Sequence, residues 1–257
     1  MKKIFLGALC LLLCLGVSAK APVKIACVGN SITYGYTIEN RERDSYPAQL
    51  QRMLGEGYTV GNFGKSGATL LNKGHRPYMK QEEFQKALAF AGDIVVIHLG
   101  INDTDPRNWP DYRDFFVRDY LALIDSFRVV NPDVRILVAR MTPIADRHPR
   151  FESGTRDWHG EIQQAIETVA RYANVQLIDF HEPLYRYPFM LPDAVHPTVE
   201  GAGILAGVVY SAITAVCVCP KYTVITWCCN VDVRWIFMVW PMPVKKSPSV
   251  SPDRQKV

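Results

Sequence analysis

The segment Gly29-Asn30-Ser31-Ile32-Thr33 follows an apolar run at residues 23–28. A short apolar run that ends at a glycine is typical of a buried β-strand. Gly29 permits a sharp turn, so Ser31 falls where a helix can begin. Backbone N–H groups at a helix start point toward an anion, and an exposed serine hydroxyl beside them suits an acyl-transfer nucleophile. On this segment alone, a strand-to-loop turn with a capping serine is an equally good interpretation.

Further apolar runs alternate with helical patterns between residues 20 and 214, and the links between them are short. The runs are continuous, as in parallel sheets covered on both faces. This alternation predicts a doubly wound, three-layer α/β/α sandwich with a five-stranded parallel sheet in flavodoxin-like order. The predicted strands are residues 24–28, 58–62, 93–99, 134–140 and 175–180, and the predicted helices are residues 45–54, 81–90, 112–130, 158–173 and 199–214.

Two of the later strands are followed by residues that could stabilise a negative charge. Ligands bind at the carboxyl ends of the strands in such a sheet. Gly67 follows the second predicted strand, and a glycine there lets a backbone N–H approach a ligand. Asn102 follows the third, and its side-chain amide can donate to an oxyanion. Taken singly, each is better interpreted structurally, Gly67 as a plain loop glycine and Asn102 as a turn residue or helix cap.

The fifth predicted strand is followed by a longer loop that contains Asp193-Ala194-Val195-His196-Pro197. His196 can act as a general base, and Asp193, three residues earlier on a tight turn, can orient its ring. A helix-capping aspartate and a surface histidine are the alternative. A serine, two possible oxyanion donors and an Asp–His pair at one sheet edge together favour the catalytic interpretation.

Four sequence blocks resemble those of the SGNH hydrolases, also called GDSL-like esterases. They are residues 29–32, 62–67, 100–103 and 193–197, and the resemblance covers residues 24 to about 214. It implies that Ser31 is the nucleophile and that Asp193 and His196 complete a catalytic triad. It also implies that Gly67 and Asn102 are oxyanion donors together with the Ser31 N–H. Asn30 replaces the aspartate of the family motif, so we expect altered local hydrogen bonding with the chemistry retained.

The resemblance also implies a substrate class and a mechanism. We expect a serine esterase that hydrolyses short acyl esters, above all acetyl esters on carbohydrate, through an acyl-enzyme and without a cofactor. The partner is then a small-molecule or glycan ester. O-acetylated sialic acid is the first expectation, and acetylated xylan or another polysaccharide is the second. A non-catalytic glycan-binding module and an inactive remnant of a longer protein are the alternatives.

Other loop residues could lie over the site, although the sequence leaves the substrate-binding residues undefined. An arginine there could hold a substrate carboxylate in a bidentate manner, and a solvated surface arginine is the alternative. His98 lies within a strand and is expected in the core or near the site. The loop candidates are Arg76, Arg107, Trp109, Arg147 and Tyr34, and the histidines expected at the surface are His75, His148, His159 and His181.

The first 19 residues have the pattern of a signal peptide. Lys2 and Lys3 precede an apolar stretch at residues 4–17, and Val17-Ser18-Ala19 resembles a cleavage site. The apolar stretch is short for a transmembrane helix. We therefore expect export to the periplasm or the cell exterior with no stable membrane span after cleavage, and an uncleaved anchor is the alternative.

Charge and cysteine usage exclude other classes of function. The formal net charge of +4 is scattered, without the basic run that a nucleic-acid-binding protein would show. The seven cysteines avoid the body of the predicted domain: two lie in the signal peptide, one is Cys27 on the first strand, and four lie beyond residue 216. No disulfide framework is expected, and no cysteine or histidine has the spacing of a zinc site, so no metal is expected.

Residues 215–257 lack the alternation of apolar runs and helical patterns that marks the domain at residues 20–214. Their aromatic, cysteine and proline residues follow no helical or strand period, which is typical of an irregular or disordered tail. Translation in a shifted frame is a second interpretation. A shifted reading resembles the start of the second domain of two-domain bacterial sialate O-acetylesterases, which predicts a frameshift that truncated a longer protein. Its forced positions lie at Trp227, Cys228, Trp235, Met238, Trp240 and Met242.

Overall fold

The computed structural model describes residues 21–215. The predicted signal peptide, the chain beyond residue 215 and the predicted frameshift lie outside the described residues. The strands are β1 (Val23–Gly29), β2 (Tyr58–Gly64), β3 (Ile94–His98), β4 (Arg135–Arg140) and β5 (Gln176–Asp179). The α-helices are α1 (Ser31–Tyr34), α2 (Arg41–Asp44), α3 (Tyr46–Leu54), α4 (Glu82–Phe90), α5 (Trp109–Tyr112), α6 (Phe116–Val130), α7 (Arg156–Ala173), α8 (Glu182–Tyr185) and α9 (Val199–Thr214).

The sheet confirms the predicted fold class. Its five strands are ordered β2-β1-β3-β4-β5, and every neighbouring pair is parallel. Helices α3 and α9 pack against each other on one face, while α4, α6 and α7 form the layer on the other face. The strand order reverses at β1, whose two neighbours are β2 and β3. A ligand site is expected at the carboxyl ends of β1 and β3, where the connections diverge.

The prediction that all strands are covered on both faces is wrong for the two edge strands. Every residue of β3 is buried, and β1 is buried from Ile25 onward. In contrast, β2 is mostly half-buried, and Leu177 in β5 is 38% exposed. An edge strand has one neighbour and less helical cover, so an apolar run does not by itself indicate burial on both faces.

Several predicted helix boundaries also need correction. The helix predicted at residues 112–130 begins only at Phe116, as α6. Tyr112 ends α5, and a short 3₁₀ turn follows because Tyr112 has φ −123° and ψ 5°, outside helical values. Helix α7 begins two residues earlier than predicted, after a turn in which Gly154 adopts φ 117°. The last helix, α9, has the predicted bounds.

No helix in residues 21–215 combines the length and the apolar character that crossing a bilayer requires.

Candidate active site

Ser31 lies directly after β1, as the first residue of α1. Gly29 is required at the preceding turn because a Cβ atom there would lie 2.1 Å from Thr33 Oγ1 and 2.7 Å from the His98 carbonyl oxygen. The Asn30 side-chain oxygen accepts a hydrogen bond from the Ile32 N–H at 3.0 Å and so caps the short helix. This local geometry holds the Ser31 hydroxyl at the carboxyl edge of the sheet.

His196 and Asp193 meet Ser31 at this edge. His196 Nε2 lies 2.8 Å from Ser31 Oγ, although 165 residues separate them in the chain. On the other side of the ring, His196 Nδ1 lies 2.6 Å from Asp193 Oδ2. The three predicted side chains therefore form one continuous hydrogen-bonded chain. In the tautomer that is protonated at Nδ1, this nitrogen donates a hydrogen bond to the Asp193 carboxylate. Nε2 is then unprotonated, and its lone pair faces the serine hydroxyl.

A tight turn fixes the Asp193 carboxylate. Its Oδ1 accepts hydrogen bonds from the backbone N–H groups of Val195 at 3.1 Å and His196 at 2.7 Å. Ala194, which follows Asp193 in this turn, adopts φ 74°, and its carbonyl accepts a hydrogen bond from the Ala145 N–H. Partial burial alone would raise the pKa of Asp193, but the hydrogen bonds from His196 and Val195 outweigh it and lower that pKa. The carboxylate beside the imidazole is thus held in its ionised form.

Gly67 and Asn102 line the same pocket as Ser31 and His196. Gly67 adopts φ 76°, a left-handed conformation that favours glycine. The Asn102 side-chain amide uses one hydrogen to bond the Ala68 carbonyl at 2.9 Å, and an amide nitrogen has a second hydrogen to donate. The structure therefore brings the two predicted oxyanion donors beside the serine.

Asp103 ties the loop that contains Gly67 to the loop that contains Asn102. Its two carboxylate oxygens each accept a backbone N–H, from Leu70 and from Leu71, both at 2.9 Å. Asp103 is fully buried, and this burial raises its pKa to about 7 although the backbone hydrogen bonds oppose the shift. Asp103, the last residue of the third sequence block, thus fixes the loop that follows the second block.

The pocket above these residues has a volume of about 380 Å³. Tyr36 covers one side of the His196 ring, with ring centroids 4.8 Å apart and an interplanar angle of 57°. Ile144 and Val195 supply apolar surface, and Asp105, Arg107 and Arg150 supply charge. A pocket of this size and mixed lining can hold a small ester together with part of its alcohol.

Comparison with known proteins agrees with this geometry. Residues 27–204 match the GDSL-like Lipase/Acylhydrolase family. The chain belongs to this family. Membership classes it as a carboxylic ester hydrolase, and the resemblance noted from the four sequence blocks is confirmed at the level of the family.

A curated relative of this GDSL-like hydrolase is an acetylxylan esterase from Xylanibacter ruminicola, 36% identical over 212 residues. That alignment covers 74% of this chain and 43% of the relative, so the chain spans less than half of the relative's length.

Solved structures with the same fold include a carbohydrate acetylesterase from Sinorhizobium meliloti, with a TM-score of 0.59 and 18% identity over 75% of this chain and 98% of that one. The acetyl xylan esterase AlAXEase has a TM-score of 0.58 and 20% identity over 74% of this chain and 100% of that one. At these identities the likeness shows the fold.

The histidines of this GDSL-like hydrolase depart in part from the sequence predictions. His159 was predicted at the surface but is buried: it lies on the inward face of α7, where Nε2 bonds the Thr142 carbonyl at 2.9 Å. Burial lowers its pKa to about 4. His98 is fully buried beside Phe180, and burial lowers its pKa to about 3. His75 and His148 line the pocket, and His181 is half-buried.

The five loop candidates separate into different roles. Only Arg107 lines the pocket. Trp109 is buried and donates to Glu161 Oε2 at 2.7 Å. The other three make contacts elsewhere: Arg76 with the Ser66 carbonyl, Arg147 with the Pro188 carbonyl, and Tyr34 with the Arg41 guanidinium.

Sequence reasoning missed Tyr36, Asp105, Ile144 and Arg150 as pocket residues. Tyr36 and Asp105 lie just beyond the first and third blocks, so proximity to those blocks was an available signal for them. Ile144 and Arg150 lie in the long connection between β4 and α7, and no local pattern marks them.

Within residues 21–215, no three histidine, cysteine, aspartate or glutamate side chains lie together in a way that could hold a metal ion.

Proposed function

We propose that this chain is a serine esterase that removes acetyl groups from carbohydrate through an acyl-enzyme intermediate. The observation that supports the proposal best is the hydrogen-bonded chain from Asp193 through His196 to Ser31. It ends in a pocket that Gly67 and Asn102 also line. Groups suited to act as nucleophile, base, orienting carboxylate and oxyanion donors thus lie together in one cleft, which supports this proposal.

In the first step His196 Nε2 takes the Ser31 proton while Oγ forms a bond to the acetyl carbonyl carbon. The carbonyl oxygen becomes an oxyanion. The C–O bond to the sugar then breaks, and the imidazolium returns its proton to the departing sugar oxygen. Water next attacks the acetyl-serine with His196 again as base, which releases acetate and restores the serine hydroxyl.

The oxyanion would be held by the backbone N–H groups of Ser31 and Gly67 and by the Asn102 amide. Such donors are fixed before the reaction, so they stabilise the charge without reorganising. Asn102 suits this role because one amide hydrogen already bonds Ala68, which fixes the direction of the other. Removing one donor of this kind raises the barrier by about 3 kcal/mol.

Two substrates are proposed in order. O-acetylated sialic acid comes first because a shifted reading of the residues beyond 215 resembles the second domain of sialate O-acetylesterases. Acetylated xylan comes second, and the 36%-identical acetylxylan esterase supports it.

The signal peptide, export, and truncation of a longer protein by a frameshift belong to the same proposal. Sequencing the DNA through codons 210–257 tests the frame directly.

The test of the function is release of acetate from O-acetylated sialic acid and from acetylated xylan by the full chain and by Ser31→Ala. We expect Ser31→Ala to lower turnover by about 10³-fold or more, since the nucleophile is lost. Ser211→Ala is the matched control, because Ser211 is exposed on α9. Equal turnover by Ser31→Ala and the wild type would refute the nucleophile. Glycan binding by a wild type with no turnover would favour a binding module.

A further inference from the structure

Two arginines of the pocket converge on one carboxylate. Arg107 contacts Asp105 through two atoms, Nε to Oδ1 at 2.8 Å and Nη2 to Oδ2 at 3.1 Å. Arg150 Nη2 lies 3.1 Å from Asp105 Oδ2. All three residues line the pocket that contains Ser31 and His196.

The cluster carries a surplus positive charge. The hydrogen bonds from Arg107, together with the charge of Arg150, lower the pKa of Asp105 to about 2, although partial burial opposes the shift. One ionised carboxylate thus faces two guanidinium groups. The Asp105 side chain is 7% exposed, whereas those of Arg107 and Arg150 are 65% and 48% exposed. The remaining guanidinium N–H groups are therefore accessible to a ligand that enters the pocket.

The loop that presents Arg107 is held firmly beside the proposed oxyanion donor. Asp105 Oδ1 also accepts the Arg107 backbone N–H at 3.0 Å, and the Asp105 carbonyl accepts the Asn108 N–H at 2.9 Å. Asn108 is fully buried, and its Nδ2 donates to the Asn102 carbonyl at 2.8 Å. Hydrogen bonds thus link the cluster to Asn102, which lowers the entropy lost when a ligand binds.

The geometry points to a subsite at Arg107 and Arg150 for the carboxylate of an acidic sugar whose acetyl ester lies at Ser31. This inference rests on the proposed function, since it identifies what the carbohydrate carries. Planar guanidinium groups pair well with carboxylates, and one arginine would suffice to neutralise Asp105. The second arginine supplies the charge for a ligand. The carboxylate can belong to a sialic acid or to a uronic acid attached to xylan.

Binding to the full chain tests the subsite without any need for turnover. The probes are N-acetylneuraminate and glucuronate, each compared with its own carboxamide by calorimetry at low salt, where surface charge is least screened. We expect at least one acid to bind about tenfold more tightly than its amide, the effect of one charge-assisted hydrogen bond. Preference for N-acetylneuraminate alone identifies a sialic acid subsite, and preference for glucuronate alone identifies a uronic acid subsite.

Arg107→Gln and Arg150→Gln should each reduce this acid-over-amide preference by about tenfold. The preference is the ratio of the affinities of one variant for the acid and for its amide. A substitution that weakens the binding of both ligands equally therefore leaves this ratio unchanged. Arg156→Gln is the matched control, because Arg156 is also exposed and pairs with a nearby aspartate, Asp157, but does not line the pocket. Having two variants keeps the test valid if one of them fails to fold.

Equal binding of acid and amide, or no binding of either acid, would overturn the subsite. The same result would leave esterase turnover of neutral acetyl esters, and hence the proposed function, standing. Conversely, a wild type that prefers the acid but releases no acetate would support the subsite while refuting the proposed function.

Discussion

Asp193 and Asp103 lie in two of the four sequence blocks that resemble the family, and each carboxylate accepts two backbone N–H groups. Their environments nevertheless shift their pKa values in opposite directions. Asp193 is 41% exposed and bonds an imidazole, and its pKa is lowered. Asp103 is fully buried, and burial raises its pKa to about 7. Two backbone hydrogen bonds to a carboxylate can therefore serve two purposes. The partially solvated carboxylate can stabilise a cation that forms during a reaction, whereas the buried one holds two loops together.

The largest expected effect comes from Asp193→Asn. The amide oxygen can still accept the Val195 and His196 N–H groups, so the fold should survive. The amide NH₂ would face His196 Nδ1 and favour the wrong tautomer, and we expect kcat to fall by about 10⁴-fold. Steady-state acetate release and a thermal melt measure the two effects. A large loss of stability with little loss of turnover would contradict the role given to Asp193.

Asp103→Ala should lower stability more than turnover, the opposite of the result expected for Asp193→Asn. It leaves the buried N–H groups of Leu70 and Leu71 without acceptors, at a cost of about 1–3 kcal/mol each. Urea denaturation should therefore show a marked loss of stability, and turnover should fall less than in Asp193→Asn. Asp125→Ala is the control, because Asp125 is exposed on α6. If Asp103→Ala were as stable as this control, Asp103 would not hold the loop.

Gly67→Ala tests whether the loop held by Asp103 supplies an oxyanion donor. An alanine at φ 76° is strained by about 1–2 kcal/mol, and its Cβ would lie 3.2 Å from Arg76 Nη1. We expect about a tenfold fall in kcat with little change in KM, since the N–H would act in the transition state. A change confined to KM would instead place Gly67 in ground-state binding.

The two carboxylates should also differ in how they make stability depend on pH. Because the folded-state pKa of Asp103 is raised, its contribution to stability is full below the unfolded value of about 3.9 and is lost as the pH rises to about 7. Asp193 has the opposite sign, since its lowered pKa gives stability that is lost as the pH falls. Melting temperatures of the wild type and Asp103→Asn between pH 4 and 7 isolate the first contribution. Parallel profiles would refute it.

Much of the fold followed from local pattern. The apolar runs located all five strands, and their alternation with helices predicted the parallel order, because short right-handed connections leave few arrangements. The boundaries around α5 and the exposure of β2 and β5 were wrong, since backbone breaks and edge positions depend on packing between elements. The assignments of Ser31, Gly67, Asn102, Asp193 and His196 stay predictions, although the structure brings all five together.

The sequence by itself determined which residue types end each strand, and hence which chemistry this sheet edge can support. Tertiary structure alone decided the environment of each group. His159 and His148 both lie in polar segments, yet packing buries the first in the core and places the second in the pocket. Arg107 and Arg150 are 43 residues apart and meet only because two loops converge on Asp105. Burial and convergence depend on contacts between distant segments, and local sequence periods carry no information about them.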